Sequence, residues 1–323
     1  MDEVSITTNK ANHLVDPVLE IWGHEVAVYL FLGGLTAGIL IIGASVHLLG
    51  KGRDYPWAAG PLLLLGPILL SLGMVGLFLD LEHKAHVFRF YTAFDITSPM
   101  SWGSWILLLV YPLSAMMILA TWREHAPRVA AGVQARVPAR LWNALATASE
   151  WCHARLPRIA ALTLPVGIAL GIYTGILLSA YTARPFWNHA VMGPLFLASG
   201  ISTALALTMA FTPSEREHHI MSRLDLAAIA VELVLLFLFG YSMFTSTESH
   251  QQAIAIITGG ELTALFWIPF VGLGLLFPLA LEIIELRGAR SPRWLVPALV
   301  LCGGFIFRVV MLEAGQRSTW IIY

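Results

Sequence analysis

Eight stretches of this chain run almost without a polar residue for about 20 positions or more, the length that a helix needs to cross hydrocarbon. They fall at roughly 26–49, 60–80, 101–122, 159–181, 190–211, 224–245, 262–281 and 294–312, and several hold no Asp, Glu, Lys or Arg. In lipid, backbone N–H and C=O groups must be satisfied within the protein, so only helices and closed barrels span a membrane. These runs are too long for barrel strands of about 10 residues. Composition agrees, with 57% hydrophobic residues, 12% charged and a mean hydropathy of +0.74. The expected fold class is all-α integral membrane, with eight transmembrane helices.

Asp2, Glu3, Asp16 and Glu20 precede the first span. That segment has neither the basic start nor the small-residue cleavage site of a signal peptide, so the first span is expected to remain in the mature chain. Cys152 and Cys302 are the only cysteines. Two cannot hold an iron–sulfur cluster, which takes four ligands, and their separation predicts no disulfide.

Basic residues set orientation. Lys51, Arg53, Arg123, Arg128, Arg136, Arg140, Arg155, Arg158, Arg216, Arg223, Arg287, Arg290 and Arg293 lie in the first, third, fifth and seventh connections. The termini and remaining connections hold Lys10, Lys84, Arg89, Arg184 and Arg317, a ratio of 13 to 5. Both termini are therefore expected outside, on the periplasmic side in a Gram-negative host.

His24 precedes Leu30-Phe-Leu32 as His189 precedes Leu195-Phe-Leu197, each by six residues. The offset near 165 residues is about half the chain and predicts two four-helix bundles related as a parallel repeat. The expected division is an outer N-terminal segment 1–25, a first bundle 26–181 and a second bundle with tail 182–323. Within 123–158, Leu141, Trp142, Leu145, Ala148, Cys152 and Leu156 recur at helical spacing among arginines. This reads as an amphipathic helix on the cytoplasmic surface.

Ionisable residues collect on the outer face. Asp80 closes span 2 and is followed by Glu82, His83, Lys84, His86 and Arg89, while His24 and Glu25 open span 1. Tyr173 lies about two turns inside span 4; Arg184, Trp187, His189 and His250 occupy outer loops; Arg308 lies about one turn from the outer end of span 8, where it can snorkel outward or pair with Asp80 or Glu313. Taken singly, each His is more often an interfacial residue; together they suit an apolar head group that exchanges protons with electrons. A quinone fits: His24 and Tyr173 would hydrogen-bond its carbonyls, and Asp80 with Lys84 or Arg308 would exchange protons. Bis-His haem needs facing histidines at matched depth, and no histidine sits mid-span. No metal site is expected. Asp225 and Glu232 are embedded acids near the other face, readable as a proton path or as locally hydrogen-bonded side chains.

The residues Leu30-Phe-Leu-Gly-Gly34, Phe78-Leu-Asp-Leu81, Ser98-Pro-Met-Ser-Trp-Gly103, Gly171-Ile-Tyr-Thr-Gly-Ile-Leu-Leu178, Pro185-Phe-Trp187, Phe307-Arg-Val-Val310 and Ala314-Gly-Gln316 together resemble the NrfD/PsrC membrane subunits of polysulfide-reductase-type complexes. The resemblance covers nearly all eight spans. It implies a menaquinone or ubiquinone site near the outer face, no haem or cluster in this chain, and a bacterial or archaeal cell (inner) membrane. It also implies docking to a four-cluster-type iron–sulfur subunit and through it to a catalytic, often molybdopterin, subunit. His24 matches the span 1 quinone contact, Tyr173 the span 4 aromatic and Asp80 the acid closing span 2. Glu82-His-Lys84 departs from the Gly- and Pro-containing run of many relatives.

The expected function is the quinone-reactive membrane subunit of a respiratory oxidoreductase, not a complete enzyme alone, with proton translocation open. No nucleic-acid partner is expected. The alternative is a secondary transporter with parallel four-helix repeats, which needs a mid-membrane site and interrupted helices. A third reading, a structural anchor, has no use for the outer acids and histidines.

Overall fold

A computed structural model describes residues 22–81, 83–92, 94–288 and 292–320. Glu82, Arg290 and the N-terminal Asp2, Glu3, Lys10, Asp16 and Glu20 lie outside the described residues. Eight helices are long and apolar enough to cross a membrane: α1 (His24–Leu48), α2 (Pro61–Asp80), α3 (Pro99–His125), α4 (Leu156–Ser179), α5 (Met192–Phe211), α6 (Glu215–Thr245), α7 (Thr263–Leu286) and α8 (Leu295–Arg317). Each expected span has its helix. Several run past the apolar stretch because polar residues at the ends continue the backbone ladder. Thus α6 begins at Glu215, nine residues before the apolar run, behind a Ser214 N-cap whose hydroxyl accepts from the Glu217 amide at 3.3 Å. Prolines open α2 and α3 at the first helical positions, where a missing N–H costs nothing.

The Trp22 amide donates to Gln316 Oε1 at 2.9 Å, and Gln316 Nε2 donates to the Trp22 carbonyl at 3.0 Å. The start of α1 and the end of α8 therefore share one face, called here the terminal face. α1 packs on α2 and α4, and α3 on both of these; α5 packs on α6 and α8, and α7 on both of those. α1 also meets α5 and α8. It is the most enclosed span, with 78% of its apolar stretch buried against 22% for α6. The outward stripe of α2, Leu64, Ile68, Leu72, Val75 and Leu79, repeats every three or four residues and is exposed, as a lipid-facing surface should be.

The α1–α5 contact is backbone on backbone. A Cβ on Gly38 would fall on the Gly200 carbonyl and the Ala204 side chain, and one on Gly200 would fall on the Gly34 carbonyl. Small residues permit this approach, which dispersion forces hold together in lipid.

The connection 123–158 holds two helices, Pro127–Arg136 and Ala139–Ala154, not the single amphipathic helix expected. Val137-Pro138 separates them, since proline cannot continue the ladder. Leu156 opens α4 instead of closing this helix. Cys152 and Ser149 face inward, with Ser149 Oγ donating to the Leu119 carbonyl at 2.7 Å, while Leu141 is exposed. Both cysteines are free.

Candidate functional site

A cavity of about 150 Å³ opens where α1, α2, α3 and α4 approach the terminal face. Val26, Met74, Leu77, Phe78, Leu107 and Leu177 supply apolar walls. The polar groups in it are Tyr29 from α1, Tyr91 from the short helix Arg89–Thr92, Ser104 from α3, Tyr173 from α4 and Asp80 at the end of α2. Ser104 Oγ donates to the Met100 carbonyl at 3.1 Å. Among the described residues, the hydroxyls of Tyr29, Tyr91 and Tyr173 have no hydrogen-bond partner, although Tyr29 and Tyr173 are both buried. Burial, with a smaller contribution from Tyr111, raises the Tyr91 pKa, so its hydroxyl keeps its proton at neutral pH. Three O–H donors thus converge in an apolar slot. The Asp80 carboxylate accepts from the Gly23 amide and has Glu25 as a charged neighbour.

Local sequence explains this geometry. Tyr29 and Tyr173 are tyrosines inside otherwise apolar helices, directed into the bundle where their rings bury and their hydroxyls keep a polar opening. Gly103 admits the Tyr173 ring: any Cβ at 103 would overlap the ring and hydroxyl. Gly73 similarly faces the Tyr29 ring.

Asp80 and Tyr173 therefore come together as the sequence predicts, but the other candidates do not join them. His24 is exposed and borders a second, open cavity of about 1020 Å³, lined also by Glu261, Glu313, Gln316 and Arg317. Lys84 is exposed on the turn Lys84–His86 and does not line the tyrosine cavity. Arg184 and Trp187 are buried pins instead of loop groups facing outward. Arg184 donates to the Ser318 carbonyl at 2.6 Å, and Trp187 Nε1 donates to the Met311 carbonyl at 2.7 Å.

Arg308 departs furthest from expectation. α8 continues to Arg317, so Arg308 is nine residues, or about 13 Å, inside the helix end. It is fully buried, neither snorkelling nor touching the tyrosine cavity. Its guanidinium donates to Ser199 Oγ at 2.6 Å, the Gly304 carbonyl at 2.8 Å and the Phe196 carbonyl at 3.5 Å. Phe31, Phe196 and Phe307 surround it with ring centroids at 5.1–5.9 Å. Its charged neighbour is Glu232, not Asp80. Glu313 pairs with Arg317 at 3.1 Å, and Arg317 also pairs with Glu261. Asp225 and Glu232 are both buried on α6, and Asp225 accepts from Ser202 Oγ at 2.6 Å.

Residues 8–319 match the family model described as "Polysulphide reductase, NrfD". The chain belongs to this family. It is 27% identical over 311 residues to the C subunit of polysulfide reductase from Wolinella succinogenes, covering 92% of this protein and 94% of the relative. It is 28% identical over 335 aligned positions to protein NrfD of Escherichia coli, covering 92% and 96%. A third relative, the NrfD homolog of Haemophilus influenzae, is 24% identical over 312 residues, covering 92% and 95%. The protein is a multi-pass membrane protein of a family whose members include one subunit of a multi-subunit reductase.

Sequence reasoning missed Tyr29, Tyr91 and Ser104 in the cavity. The signal for Tyr29 was the same as for Tyr173, a tyrosine in an apolar span. Glu282 was missed because span 7 was closed at 281, whereas α7 runs to Leu286 and buries this acid.

Proposed function

We propose that this chain is the quinone-reactive membrane subunit of a multi-subunit respiratory oxidoreductase, exchanging electrons with an iron–sulfur partner subunit. The observation that carries the reading is the apolar cavity holding three unpartnered tyrosine hydroxyls and a carboxyl at its mouth. A quinone head is flat and apolar with two carbonyl acceptors, and in redox exchange it takes up or releases two protons with two electrons. Donors without acceptors and walls without charge are what it needs. Tyr29 and Tyr173 would orient the carbonyls, and the apolar walls would exclude water. Asp80, held by the Gly23 amide, would exchange protons between the cavity and the terminal face. Lys84, His24 and Arg308 have no part in holding the head, given their positions.

The bias of basic residues makes the terminal face the outer one, and the open His24 cavity would face the same compartment. We read residues 26–181 and 182–323 as two four-helix bundles in parallel repeat, with the quinone cavity in the first. A cluster-bearing partner seated on this face, and a catalytic subunit beyond it, follow from the naming of the Wolinella relative as one subunit of a polysulfide reductase.

The test is fluorescence-detected binding of a menaquinol or ubiquinol analogue to the complex, comparing wild type with Tyr29→Phe, Tyr173→Phe and Asp80→Asn. Saturable binding weakened about tenfold by either tyrosine change, the loss of one hydrogen bond of about 1.4 kcal/mol, supports the assignment. Wild-type affinity in both tyrosine variants overturns it. A transporter would show no saturable quinol binding and a solute site in the span centre.

A further inference from the structure

We infer that the helices α5–α8 hold a proton-exchange file, Glu282–Asp225–Glu232 ending at Arg308, entered from the face opposite the termini and separate from the tyrosine cavity. Each carboxyl is almost wholly buried, at 0–1% exposure, and each stands beside a serine. Ser202 Oγ donates to Asp225 at 2.6 Å. Ser199 hydrogen-bonds Glu232 and accepts from Arg308 at 2.6 Å, joining the end of the file to a cation. Ser222 is the hydroxyl that interacts with Glu282. The antiparallel run of α5 and α6 orders these contacts, since Ser199 and Glu232 both lie nearer the terminal face than Ser202 and Asp225.

The unpartnered atoms mark the line of the file. Asp225 Oδ2, Glu232 Oε1, both carboxyl oxygens of Glu282 and Arg308 Nε are buried without a hydrogen bond among the described residues. A buried polar atom left so costs about 1–3 kcal/mol, and ordered water is the usual remedy. Water on these atoms would bridge the two helical turns, about 10 Å, between Asp225 and Glu232.

Charge distribution explains why protons, not a fixed ion pair, belong here. The charged neighbours of Glu282 are Asp225 and Glu285, and that of Asp225 is Glu232, all acids. Burying two facing carboxylates with no cation costs several kcal/mol per ion, and a shared proton removes that cost. Glu232 faces a cation, Arg308. A proton entering at half-exposed Glu285, one turn from Glu282, can pass to the Glu282–Asp225 pair and on to Glu232. The Arg308 charge favours carboxylate at Glu232, which makes it the acceptor at the end. α7 is irregular just before this point. Phe266–Leu276 is a π-helix containing Pro269, a form that gathers at functional sites. The file does not rest on the quinone reading, though under it the file would take up protons during quinone turnover.

The test is infrared spectroscopy of the purified protein in liposomes, with a second measurement on the native complex. At neutral pH and in sodium-free buffer, a buried protonated-carboxyl C=O band is expected. Glu282→Gln should remove it and Asp225→Asn should shift it. In the complex, Glu282→Gln and Glu232→Gln should each lower proton uptake from the opposite face at least tenfold while quinol-analogue binding stays within twofold. Absence of the band in wild type, its persistence in Glu282→Gln, or its displacement by sodium ions would overturn the proposal, the last in favour of a cation site. Should Glu282→Gln fail to fold, Glu282→Asp must keep the band at a shifted position; loss of the shift overturns it equally. Failure of quinol-analogue binding in wild type with the band intact would count against the tyrosine cavity alone.

Discussion

Replacing Glu217 should loosen the opposite face of the molecule more than any exposed ion pair does. Glu217 sits in the first turn of α6, fully buried, and its carboxylate accepts from the Ala58 amide at 2.8 Å, the Trp57 amide at 3.3 Å and Thr212 Oγ1 at 2.7 Å. Ala58 and Trp57 belong to the short helix Pro56–Ala59 in the α1–α2 connection. The carboxylate therefore caps the positive end of one helix from the start of another, 159 residues away. Hydrogen bonds to a charged group contribute about 1.5–3 kcal/mol each. Glu217→Ala removes three acceptor contacts and leaves two buried amides unpaired. With non-additivity among neighbours, a loss of about 4 kcal/mol is expected. Glu217→Gln keeps one carbonyl oxygen for the close Ala58 amide, and the Thr212 hydroxyl can turn to accept. Only the long Trp57 contact is lost, so the cost should be about 1–2 kcal/mol. Unfolding in mixed micelles by detergent titration, followed by tryptophan fluorescence, measures both. Equal values for the two variants, or an Ala variant within about 0.5 kcal/mol of wild type, would refute the capping argument.

Gly103→Val should displace the Tyr173 ring and lower quinol-analogue affinity more than tenfold with α-helical circular dichroism unchanged; retained affinity would mean that Tyr173 does not hold the head. Gly38→Val should push α1 from α5 at a cost of about 1–3 kcal/mol, read as a lower detergent midpoint, because the obstructing atoms are backbone. His189 and His250 predict an acid-sensitive terminal face. Burial, and for His189 also the nearby His250, lowers both pKa values. Their neutral Nδ1 atoms accept from the Val191 amide at 3.2 Å and Thr247 Oγ1 at 2.7 Å. The stability they contribute is complete above the unfolded histidine pKa of about 6.5 and is lost as pH falls below it. The thermal midpoint should therefore drop from pH 7.5 to 5.5, and less so in His189→Gln; a flat wild-type profile would contradict this.

The eight spans were legible because hydrophobic length is a property of consecutive residues. Their ends were not, because α6 and α7 extend through Glu215–Arg223 and Glu282–Leu286, where polar residues break the apolar run but not the backbone ladder. Asp80 and Tyr173 were legible by depth along their own helices. Depth alone misled for Arg308: its face of α8 looks at α1 and α5, away from α2, and no single-helix pattern specifies that. The same limit hid Tyr29, whose role depends on four helices enclosing one slot. Motif residues Trp187 and Gln316 read as part of a reactive face, whereas they tie the terminal face together through the Met311 carbonyl and the Trp22 backbone.

The central claim is best tested by photo-crosslinking an azido-quinone to the native complex and mapping the labelled peptides by mass spectrometry. Labels on the α1 segment around Tyr29, the α2 end around Phe78–Asp80 and the α4 segment around Tyr173, competed away by unlabelled quinone, are the predicted result. Competable labels confined to α5–α8, or no competable label on this protein, would contradict it.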